Sequence, residues 1–316
     1  MRRRRVTVFG GSGFIGRHLV NRLAARGDIV TVAVRDPEAA IFLKPMGDVG
    51  QIVIVATDIC NPASVAAAVK GADAVVNLVG ILWQWGRRSF TRIHAKGAGN
   101  IARAAREAGV ARLVHVSAIG ADKDGEALYA RSKAAGEVAV RDAFPAATIL
   151  RPSVVFGPED NFFNQFADLA RDLPALPIFG RGDGPSFQPV YVGDVADAIM
   201  TVLTAATAQG RTFELGGPRI YTYRQLMELV LSEIGRHRML VPVPIALAAI
   251  AGWFLQKLPN PLLTRDQMLL LKHDNIVADG AATLADLGIV PTAAETVLPA
   301  YLRCFRRPQI RMPRPV

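Results

Sequence analysis

Three side chains in the stretch His115–Lys133 could together move a proton. Ser117 comes first, and Tyr129 and Lys133 follow it, four residues apart. A phenol titrates near pH 10 and is a weak acid or base at neutral pH, but a lysine cation within about 4–6 Å favours the phenolate. Tyr129 could then exchange a proton with a carbonyl or hydroxyl group that Ser117 hydrogen-bonds. We therefore predict Ser117, Tyr129 and Lys133 as catalytic residues.

This chemistry needs the end of a strand and the start of a helix to hold the three side chains. The run Leu113–Ser117 predicts a buried strand, and Ala130–Ala143 predicts the helix that follows it. Tyr129 and Lys133, at the start of that helix, then share one helix face. Because Tyr-x-x-x-Lys also occurs by chance in many helices, the prediction depends on the fold around it.

Short apolar runs alternate with helix patterns from the start of the chain to about Pro152. Near-continuous apolar strands separated by helices are typical of a parallel sheet that is covered on both faces. We predict an α/β fold, a Rossmann-type doubly wound parallel sheet, for a dinucleotide-binding core over residues 1–152. The predicted strands are Val6–Phe9, Ile29–Val34, Ile52–Ala56, Ala74–Val79, Leu113–Ser117 and Thr148–Ser153. The predicted helices are Phe14–Arg26, Pro37–Met46, Pro62–Lys70, Phe90–Ala108 and Ala130–Ala143.

The first predicted strand runs directly into a set of spaced glycines. Gly10, Gly13 and Gly16 form G-x-x-G-x-x-G between that strand and the first predicted helix. Such glycines allow a tight turn, the close approach of a pyrophosphate and close packing of the helix on the strand. The start of the helix also offers free N–H groups to an anion. We predict a dinucleotide at this loop, in contact with Phe14 and Ile15 as well as the three glycines.

Basic residues favour NADP(H) over NAD(H) as that dinucleotide. If the second strand ends as predicted, the next residue is Arg35, which suits a 2′-phosphate, whereas a slip of one residue would bring Asp36 to the ribose. Arg17 lies in the first turn of the glycine-loop helix, where a cation is unfavourable unless an anion is bound. Asp58, next to Ile59 after the third strand, could hydrogen-bond the adenine amino group or cap the next helix.

The composition restricts the partners and the compartment. The net charge of +10 suits an acidic partner or an anionic lipid surface, or reflects only the arginine bias of a GC-rich genome, and no nucleic-acid motif accompanies it. The five histidines and two cysteines have no metal-ligand spacing, so we expect no metal, and a cytoplasmic location. The apolar run Leu240–Leu255 is shorter than the roughly 20 residues that cross a bilayer. It predicts a buried helix or a docking face, and no transmembrane segment.

Helix patterns dominate after Pro152. We therefore expect a smaller, mostly helical C-terminal region over residues 153–316 that packs as one unit with the core. Thr264–Gln267 and Thr292–Glu295 have the spacing of capping boxes. The predicted helices are Phe162–Arg171, Val192–Ala205, Tyr223–Ile234, Ile245–Lys257, Arg265–Lys272 and Ala293–Phe305.

Together these motifs resemble the extended or atypical short-chain dehydrogenase/reductase family. The resemblance rests on the glycine loop, Ser117, the Tyr129–Lys133 pair and the segment Arg151–Asp160 (RPSVVFGPED). It implies that a segment such as Pro152–Phe156 lies beside the nicotinamide, and that the turn after the fourth strand packs along the cofactor. The cofactor-binding residues implied in these two segments are Leu78, Val79, Gly80, Pro152 and Val154, with Tyr129 and Lys133 at the nicotinamide ribose.

Four longer stretches resemble one branch of that family, the nucleotide-binding accessory subunits of respiratory complex I. They begin at Val8, Tyr129, Gln188 and Leu262 and extend into the helical end of the chain. This resemblance implies a tightly held NADPH with a structural or regulatory role. It also implies contact with complex I subunits, peripheral at the cytoplasmic face of the inner membrane.

The sequence also leaves an enzymatic function open and adds an expectation for His94. The intact Ser117, Tyr129 and Lys133 leave open a stand-alone NADPH-dependent reductase, epimerase or dehydratase of the same family. His94, on the helix after the fourth strand, could face the cofactor, although we expect it at the helix surface.

Overall fold

The apolar runs of the sequence form the strands of one parallel sheet and several short strand pairs. The computed structural model describes residues 3–86, 88–180, 182–255 and 264–306. The strands are β1 Arg5–Phe9, β2 Ile29–Val34, β3 Ile52–Ala56, β4 Ala74–Asn77, β5 Arg112–Val116, β6 Thr148–Pro152, β7 Val155–Phe156, β8 Ala175–Phe179, β9 Ser186–Phe187, β10 Val190–Tyr191, β11 Thr212–Leu215, β12 Tyr221–Thr222 and β13 Met239–Val243. The α-helices are α1 Phe14–Ala25, α2 Pro62–Val69, α3 Ala98–Glu107, α4 Leu128–Ala143, α5 Phe163–Asp172, α6 Val192–Val202, α7 Tyr223–Glu233, α8 Ile245–Leu255, α9 Arg265–Leu270 and α10 Ala294–Tyr301.

Seven of the strands form the central sheet in the order β11-β6-β5-β4-β1-β2-β3. Every neighbouring pair in it is parallel. The strand order reverses between β1 and β4, and ligands of such sheets bind in the crevice beyond the carboxyl ends of the strands at that point. The predicted doubly wound parallel sheet is therefore confirmed, and the glycine loop follows β1 at this crevice.

Helices cover both faces of the sheet, as the near-continuous apolar strands require. On one face α1 packs against α6, with Leu19, Leu23 and Ile199 in a shared apolar core. On the other face α2, α3 and α4 pack together, with Ile101 and Val140 among their fully buried residues. A third apolar core lies in the C-terminal part and includes residues of α5, α7 and α10.

Several predicted helices differ from the structure in kind. Over Glu38–Met46 the chain forms a 3₁₀ helix that contains Pro45, since proline cannot donate a backbone hydrogen bond. The predicted helix Phe90–Ala108 begins instead with a π-helical segment, Thr91–Gly97, which α3 continues. The end of the predicted helix Ile245–Lys257 lies outside the described residues.

One of the two predicted capping boxes is wrong. Thr264 and Gln267 cap α9 as predicted, with bonds of 2.9 and 3.1 Å. Thr292 does not cap α10, because its hydroxyl and its N–H both donate to the Asp194 carboxylate, at 2.9 and 2.6 Å. The helix begins after Ala293 without a side-chain cap.

The apolar run Leu240–Leu255 does not form a buried helix, so that prediction is wrong. Its first residues lie in β13, which pairs in parallel with β8, and the rest form α8. On α8, Ala248 is buried, whereas Leu247 and Ile250 are 61% and 58% exposed. None of the helices in the described residues has the length and apolarity needed to cross a bilayer.

The sheet also receives a strand that the sequence did not indicate. β11 pairs with β6 and forms the edge of the sheet, although it lies well beyond Pro152. Thus α6 and β11, from the C-terminal part of the chain, belong to the layers of the core.

Candidate functional site

The glycine loop after β1 is shaped for close contact with backbone and ligand. Gly10 has a φ of +76°, a left-handed conformation that favours glycine. A Cβ on Gly16 would lie 2.5 Å from the Gly10 carbonyl oxygen. Gly13 is the exposed N-cap of α1, and neither a capping side chain nor an acidic residue occupies the first turn of that helix. The start of α1 therefore fits a bound anion such as a diphosphate.

The turn after β4 lies against this loop. The Leu78 N–H donates to the Phe9 carbonyl at 3.0 Å, and a Cβ on Gly10 would lie 3.3 Å from the Leu78 carbonyl carbon and the Val79 nitrogen. Gly80 is exposed beside the predicted catalytic helix, since a Cβ there would lie 3.5 Å from Lys133 Nζ. These three predicted residues therefore line the path between the glycine loop and the Ser117 end of the crevice.

The guanidinium group of Arg17 is partly buried, and one of its nitrogens has no partner among the described residues. Its Nη1 lies 3.6 Å from Glu159 Oε1, and its guanidinium lies 5.1 Å from the centre of the Phe42 ring. Its Nε is buried and has no hydrogen-bond partner among the described residues. Because a buried donor without a partner is costly, this atom supports an anionic ligand at the start of α1.

The residue at which β2 ends determines which side chain lies nearest to the predicted ribose of the dinucleotide. β2 ends at the predicted residue, so the exposed Arg35 follows the strand directly. The Asp36 carboxylate accepts the Ala39 N–H at 3.2 Å and so serves the next turn of the chain. Arg88 lies close enough that the Arg35 charge, after burial, helps to lower the pKa of Arg88. Sequence reasoning missed Arg88, because it lies in an irregular loop without a motif.

Asp58 does not cap the helix that follows it. Its Oδ1 accepts the Cys60 N–H at 2.9 Å, whereas Asn61 caps α2 by accepting the Ala63 N–H at 3.1 Å. Asp58 is exposed after β3, and its neighbour Ile59 is buried. This leaves the role at the adenine as the remaining prediction for Asp58.

The structure brings Ser117, Tyr129 and Lys133 together at the ends of β5 and α4. The Lys133 ammonium donates to the carbonyls of Val116 and Ser117 at 3.4 and 3.5 Å and lies 5.8 Å from the centre of the Tyr129 ring. The Ser117 hydroxyl is buried and has no hydrogen-bond partner among the described residues. A buried hydroxyl of this kind can serve a ligand carbonyl or hydroxyl.

The pKa values of Lys133 and Tyr129 both depart from their ordinary values, because both side chains are buried. Burial lowers the pKa of Lys133 to about 8, although the Glu137 carboxylate acts in the opposite direction. Burial, followed by the charge of Asp266, raises the pKa of Tyr129 to about 12. Tyr129 is therefore neutral at pH 7 in this arrangement, and the role of Lys133 in favouring the phenolate stays a prediction.

Asp266 reaches this site from the C-terminal part of the chain. Its two carboxylate oxygens accept the N–H groups of Leu128 and Tyr129 at 2.6 and 2.9 Å. An anion at the start of α4 is favourable to that helix, but it also places a negative charge beside the Tyr129 phenol. The sequence gave no signal for this contact, because the two residues are far apart in the chain.

His94 is buried at the centre of the site, so the expected position at the helix surface is wrong. It is only 2% exposed, and it lies on the π-helical segment, a distortion that is frequent at functional sites. Its Nε2 accepts the Ile81 N–H at 3.0 Å, so Nδ1 carries the proton and donates to Ser132 Oγ at 2.8 Å. Its ring packs edge-on against Tyr129, with centres 5.5 Å apart.

A second histidine lies beneath Lys133. The Asn77 amide donates to His115 Nδ1 at 3.1 Å, which places the proton on Nε2. That Nε2 is buried without a partner among the described residues. Burial, followed by the charge of Lys133, lowers the pKa values of His94 and His115 to about 3, so both rings stay neutral at pH 7.

Asn275, from the C-terminal part of the chain, holds the segment that follows β6. Pro152 is buried, and the Val154 N–H donates to the Asn275 side chain at 3.2 Å. Asn275 also accepts the Ser153 hydroxyl at 2.7 Å. Sequence reasoning found Pro152 and Val154 but missed Asn275, which no local pattern marks.

A parallel sheet in this order, with a glycine loop at the switch point and Ser117, Tyr129 and Lys133 at β5 and α4, defines a dinucleotide-binding Rossmann protein of the oxidoreductase type. In the described part of the chain, no three His, Cys, Asp or Glu side chains lie together in a way that could hold a metal ion. The model of the NAD dependent epimerase/dehydratase family matches residues 6–216. The chain belongs to that family, as the resemblance to extended short-chain dehydrogenases predicts.

Three curated relatives show how the similarity is distributed. The mitochondrial NADH-ubiquinone oxidoreductase 40 kDa subunit of Neurospora crassa is 36% identical over 301 residues, which cover 95% of this chain and 79% of that protein. Mouse (Mus musculus) NADH dehydrogenase (ubiquinone) 1 alpha subcomplex subunit 9 is 35% identical over 302 residues, 95% of this chain and 80% of that protein. Ceramide reductase of Caulobacter vibrioides is 32% identical over 241 residues, 76% of this chain and 73% of that protein.

A solved structure supports the fold. The dTDP-glucose 4,6-dehydratase DesIV of Streptomyces venezuelae, solved with NAD bound, has a TM-score of 0.73 at 23% identity and covers 95% of this chain and 96% of its own. The family to which the chain belongs is described as NAD dependent, and the glycine loop has the close backbone geometry that a diphosphate requires.

Proposed function

We propose that this protein is an NAD(P)H-binding accessory subunit of respiratory complex I, in which the nucleotide is held mainly for structure or regulation. The observation that carries the proposal is the 35–36% identity to the mitochondrial subunits over 95% of the chain. That similarity extends through the helical C-terminal part, where family members of different function need not agree. The ceramide reductase matches a smaller share of the chain, 76%.

Within this proposal the nucleotide is NADP(H) rather than NAD(H). Arg35 directly follows β2, Asp36 is engaged in the next turn, and Arg88 lies near Arg35. Two neighbouring guanidinium groups suit the 2′-phosphate that distinguishes the two dinucleotides. Arg17, with its unpartnered Nε, suits the diphosphate side.

The remaining site residues take the roles that the sequence predicted. We assign the diphosphate to Gly10, Gly13 and Gly16 with Phe14 and Ile15, the adenine to Asp58 and Ile59, and the nicotinamide half to the turn and strand ends beyond them. This last group comprises Leu78, Val79, Gly80, Ser117, Tyr129, Lys133, Pro152 and Val154.

A bound nucleotide would hold the two parts of the chain together. Its predicted contacts come from β1, β2, β4, β5, α4 and the segment after β6, and Asn275 fixes that last segment from the C-terminal part. A ligand that binds only the folded chain adds about 4 kcal/mol of stability at a thousand times its Kd. We include in the proposal the division at residue 152 into a coenzyme-binding core, whose layers β11 and α6 complete, and a C-terminal docking region, packed as one unit with it.

Two features support a peripheral position on the cytoplasmic face of the inner membrane. Met239 on β13 and Leu247 and Ile250 on α8 expose large apolar side chains, at 71%, 61% and 58%. The chain has a net charge of +10, which favours contact with acidic subunits or anionic lipid headgroups. The described exposed surface of β13 and α8 is therefore our candidate for the contact with complex I.

A second candidate function is a stand-alone NADPH-dependent reductase, epimerase or dehydratase. The observation that favours it is the buried, unpartnered hydroxyl of Ser117 beside Lys133. When bound, the nicotinamide supplies hydride chemistry. Ser117 would orient a carbonyl, and Tyr129 would deliver or accept its proton. The pKa of Tyr129, raised to about 12, disfavours its phenol as a base at pH 7.

One experiment separates the two candidates. Detergent-solubilised membranes of the native host, carrying tagged wild-type protein or Tyr129→Phe, are resolved by native electrophoresis, and retained nucleotide is quantified. The accessory-subunit proposal predicts that both proteins migrate with NADH:quinone oxidoreductase activity and keep their nucleotide. A wild-type protein found apart from that complex, with substrate-dependent NADPH oxidation that Tyr129→Phe abolishes, would replace the first candidate by the second.

A further inference from the structure

A cavity of about 540 Å³ opens between the irregular segment that follows β4, the start of α4, and α8 and α9. Its walls include Trp83, Phe90, Leu128, Trp253, Arg131 and Arg265. None of the residues that we assign to the nucleotide lies in its walls. Its volume is within the range of about 300–1,000 Å³ that small-molecule sites occupy. The cavity is therefore large enough for a ligand other than the nucleotide.

Apolar and aromatic side chains form much of the wall. Leu128 and Trp253 line the cavity and yet remain 50% and 43% exposed. Phe90 separates the cavity from the catalytic candidates, because its ring also packs edge-on against Tyr129, with centres 5.8 Å apart. An apolar group in the cavity would cover this exposed surface, at about 25 cal/mol per Å² removed from water.

The two carboxylates and the two guanidinium groups in the wall do not pair with each other. Of the two acidic side chains there, Glu126 pairs with Lys272 at 2.6 Å, and Asp266 accepts the N–H groups at the start of α4. Arg131 uses one nitrogen for the carbonyls of Gly125 and Glu126. In the described part of the chain neither Arg131 nor Arg265 forms an ion pair with a carboxylate, so two guanidinium groups border the cavity without a counter-ion.

We propose that this cavity binds a monomeric long-chain carboxylate, with its chain between Trp83 and Trp253 and its carboxylate on Arg131 and Arg265. Guanidinium groups bind carboxylates through paired, charge-assisted hydrogen bonds, and the aromatic walls suit an apolar chain. The bound acid lies one aromatic ring away from Tyr129. The proposal is independent of whether the protein turns over a substrate or joins a complex.

The tryptophans of the chain provide the assay. All three lie at or near the cavity, at positions 83, 85 and 253, so energy transfer from tryptophan to cis-parinaric acid reports occupancy. We expect saturable transfer at concentrations below the micelle threshold of the acid. The double variant Arg131→Gln with Arg265→Gln should raise its Kd about tenfold or more, because it removes the charge-assisted hydrogen bonds. The methyl ester should bind weakly to wild type and be insensitive to the variant.

Two further variants make the test specific. Arg22→Gln removes the same charge on the opposite face of the sheet, where Arg22 pairs with Asp197, and should leave the Kd unchanged. Leu128→Glu brings a carboxylate to the cavity at the start of α4, where helices favour acidic residues, and should weaken binding while the protein stays folded. Energy transfer only to acid in vesicles, or a Kd that the double variant and Leu128→Glu leave unchanged, would overturn the proposal.

Discussion

The glycine loop allows the binding of the nucleotide to be separated from the stability of the fold. In Gly16→Ala the new Cβ would lie 2.5 Å from the Gly10 carbonyl oxygen and 2.6 Å from the Gly11 carbonyl carbon, whereas ordinary contact begins at 3.4 Å. The loop must therefore move by about 0.9 Å, the difference between 3.4 and 2.5 Å. Overpacking of this kind costs about 1–3 kcal/mol, which for a chain of 316 residues corresponds to a fall in Tm of roughly 2–5 °C.

Gly13→Ala should have the opposite profile. Its Cβ would meet only the Gly10 carbonyl oxygen, at 3.2 Å, and the φ of −74° is open to alanine. We expect the Tm without nucleotide to stay within about 2 °C of wild type, since small strain costs little. Gly13 is, however, the exposed N-cap where a diphosphate would approach the start of α1. The variant should therefore lose most of the stabilisation that NADPH gives.

The assay is calorimetric unfolding of nucleotide-free protein, with and without NADPH, for wild type and both variants. Saturating nucleotide at a thousand times Kd should add about 4 kcal/mol to wild type. Gly16→Ala should show the lower Tm of the two without nucleotide. A Gly13→Ala protein that keeps the full nucleotide-dependent rise in Tm would refute the placement of the diphosphate at this loop.

Three further predictions concern charge. Arg35→Ala should raise the Kd for NADPH roughly 10–150-fold and change that for NADH little, in titration calorimetry, because a charge-assisted bond contributes about 1.5–3 kcal/mol. Asp266→Asn should lower the pKa of Tyr129 from about 12, since it removes the negative charge beside the phenol, as measured by NMR of ¹³Cζ-labelled tyrosine. The pKa values of His94 and His115 are about 3 when folded, against 6.5, so the unfolded chain binds more protons and stability falls as pH drops below 6.5. From pH 7 to 5 the free energy of unfolding in urea should fall by about 2 kcal/mol per histidine, and His115→Gln should remove about half of that loss.

The predictions for Arg35 and Asp266 each have a matched control variant. Arg35→Lys keeps a positive charge and should lose less NADPH affinity than Arg35→Ala; equal losses for NADPH and NADH would show that the end of β2 does not meet a 2′-phosphate. Glu126→Gln removes the carboxylate that Lys272 binds and should leave the Tyr129 titration close to wild type. A stability that does not change between pH 7 and 5 would contradict the burial of neutral His94 and His115.

Local patterns predicted the central sheet well. The bounds of β2 and β3 agree residue for residue with the predicted strands, because both are continuous apolar runs of the kind that parallel sheets contain, although β3 lies at the edge of the sheet and is partly exposed. The short strands were missed for the opposite reason. β7, β9, β10 and β12 have two residues each, too few to carry a periodicity.

The parts of the site that lie within one motif were also predictable. Gly10, Gly13 and Gly16 carry their own geometric requirement, and Tyr129 and Lys133 share a helix face by spacing alone. The burial of His94 was not predictable, because the π-helical segment turns it inward in a way that an α-helical pattern does not. The raised pKa of Tyr129 depends first on burial and then on the charge of Asp266, and both arise only through the tertiary fold.

The most direct test of the account is to identify the small molecule that the protein releases. Protein purified without added nucleotide is denatured, and the supernatant is analysed by mass spectrometry and by absorbance at 340 nm. The account predicts NADP(H) in near-equimolar amount, retained in Tyr129→Phe and missing from Gly13→Ala. Protein that releases no dinucleotide, and that gains no stability when NADPH or NADH is added, would contradict it.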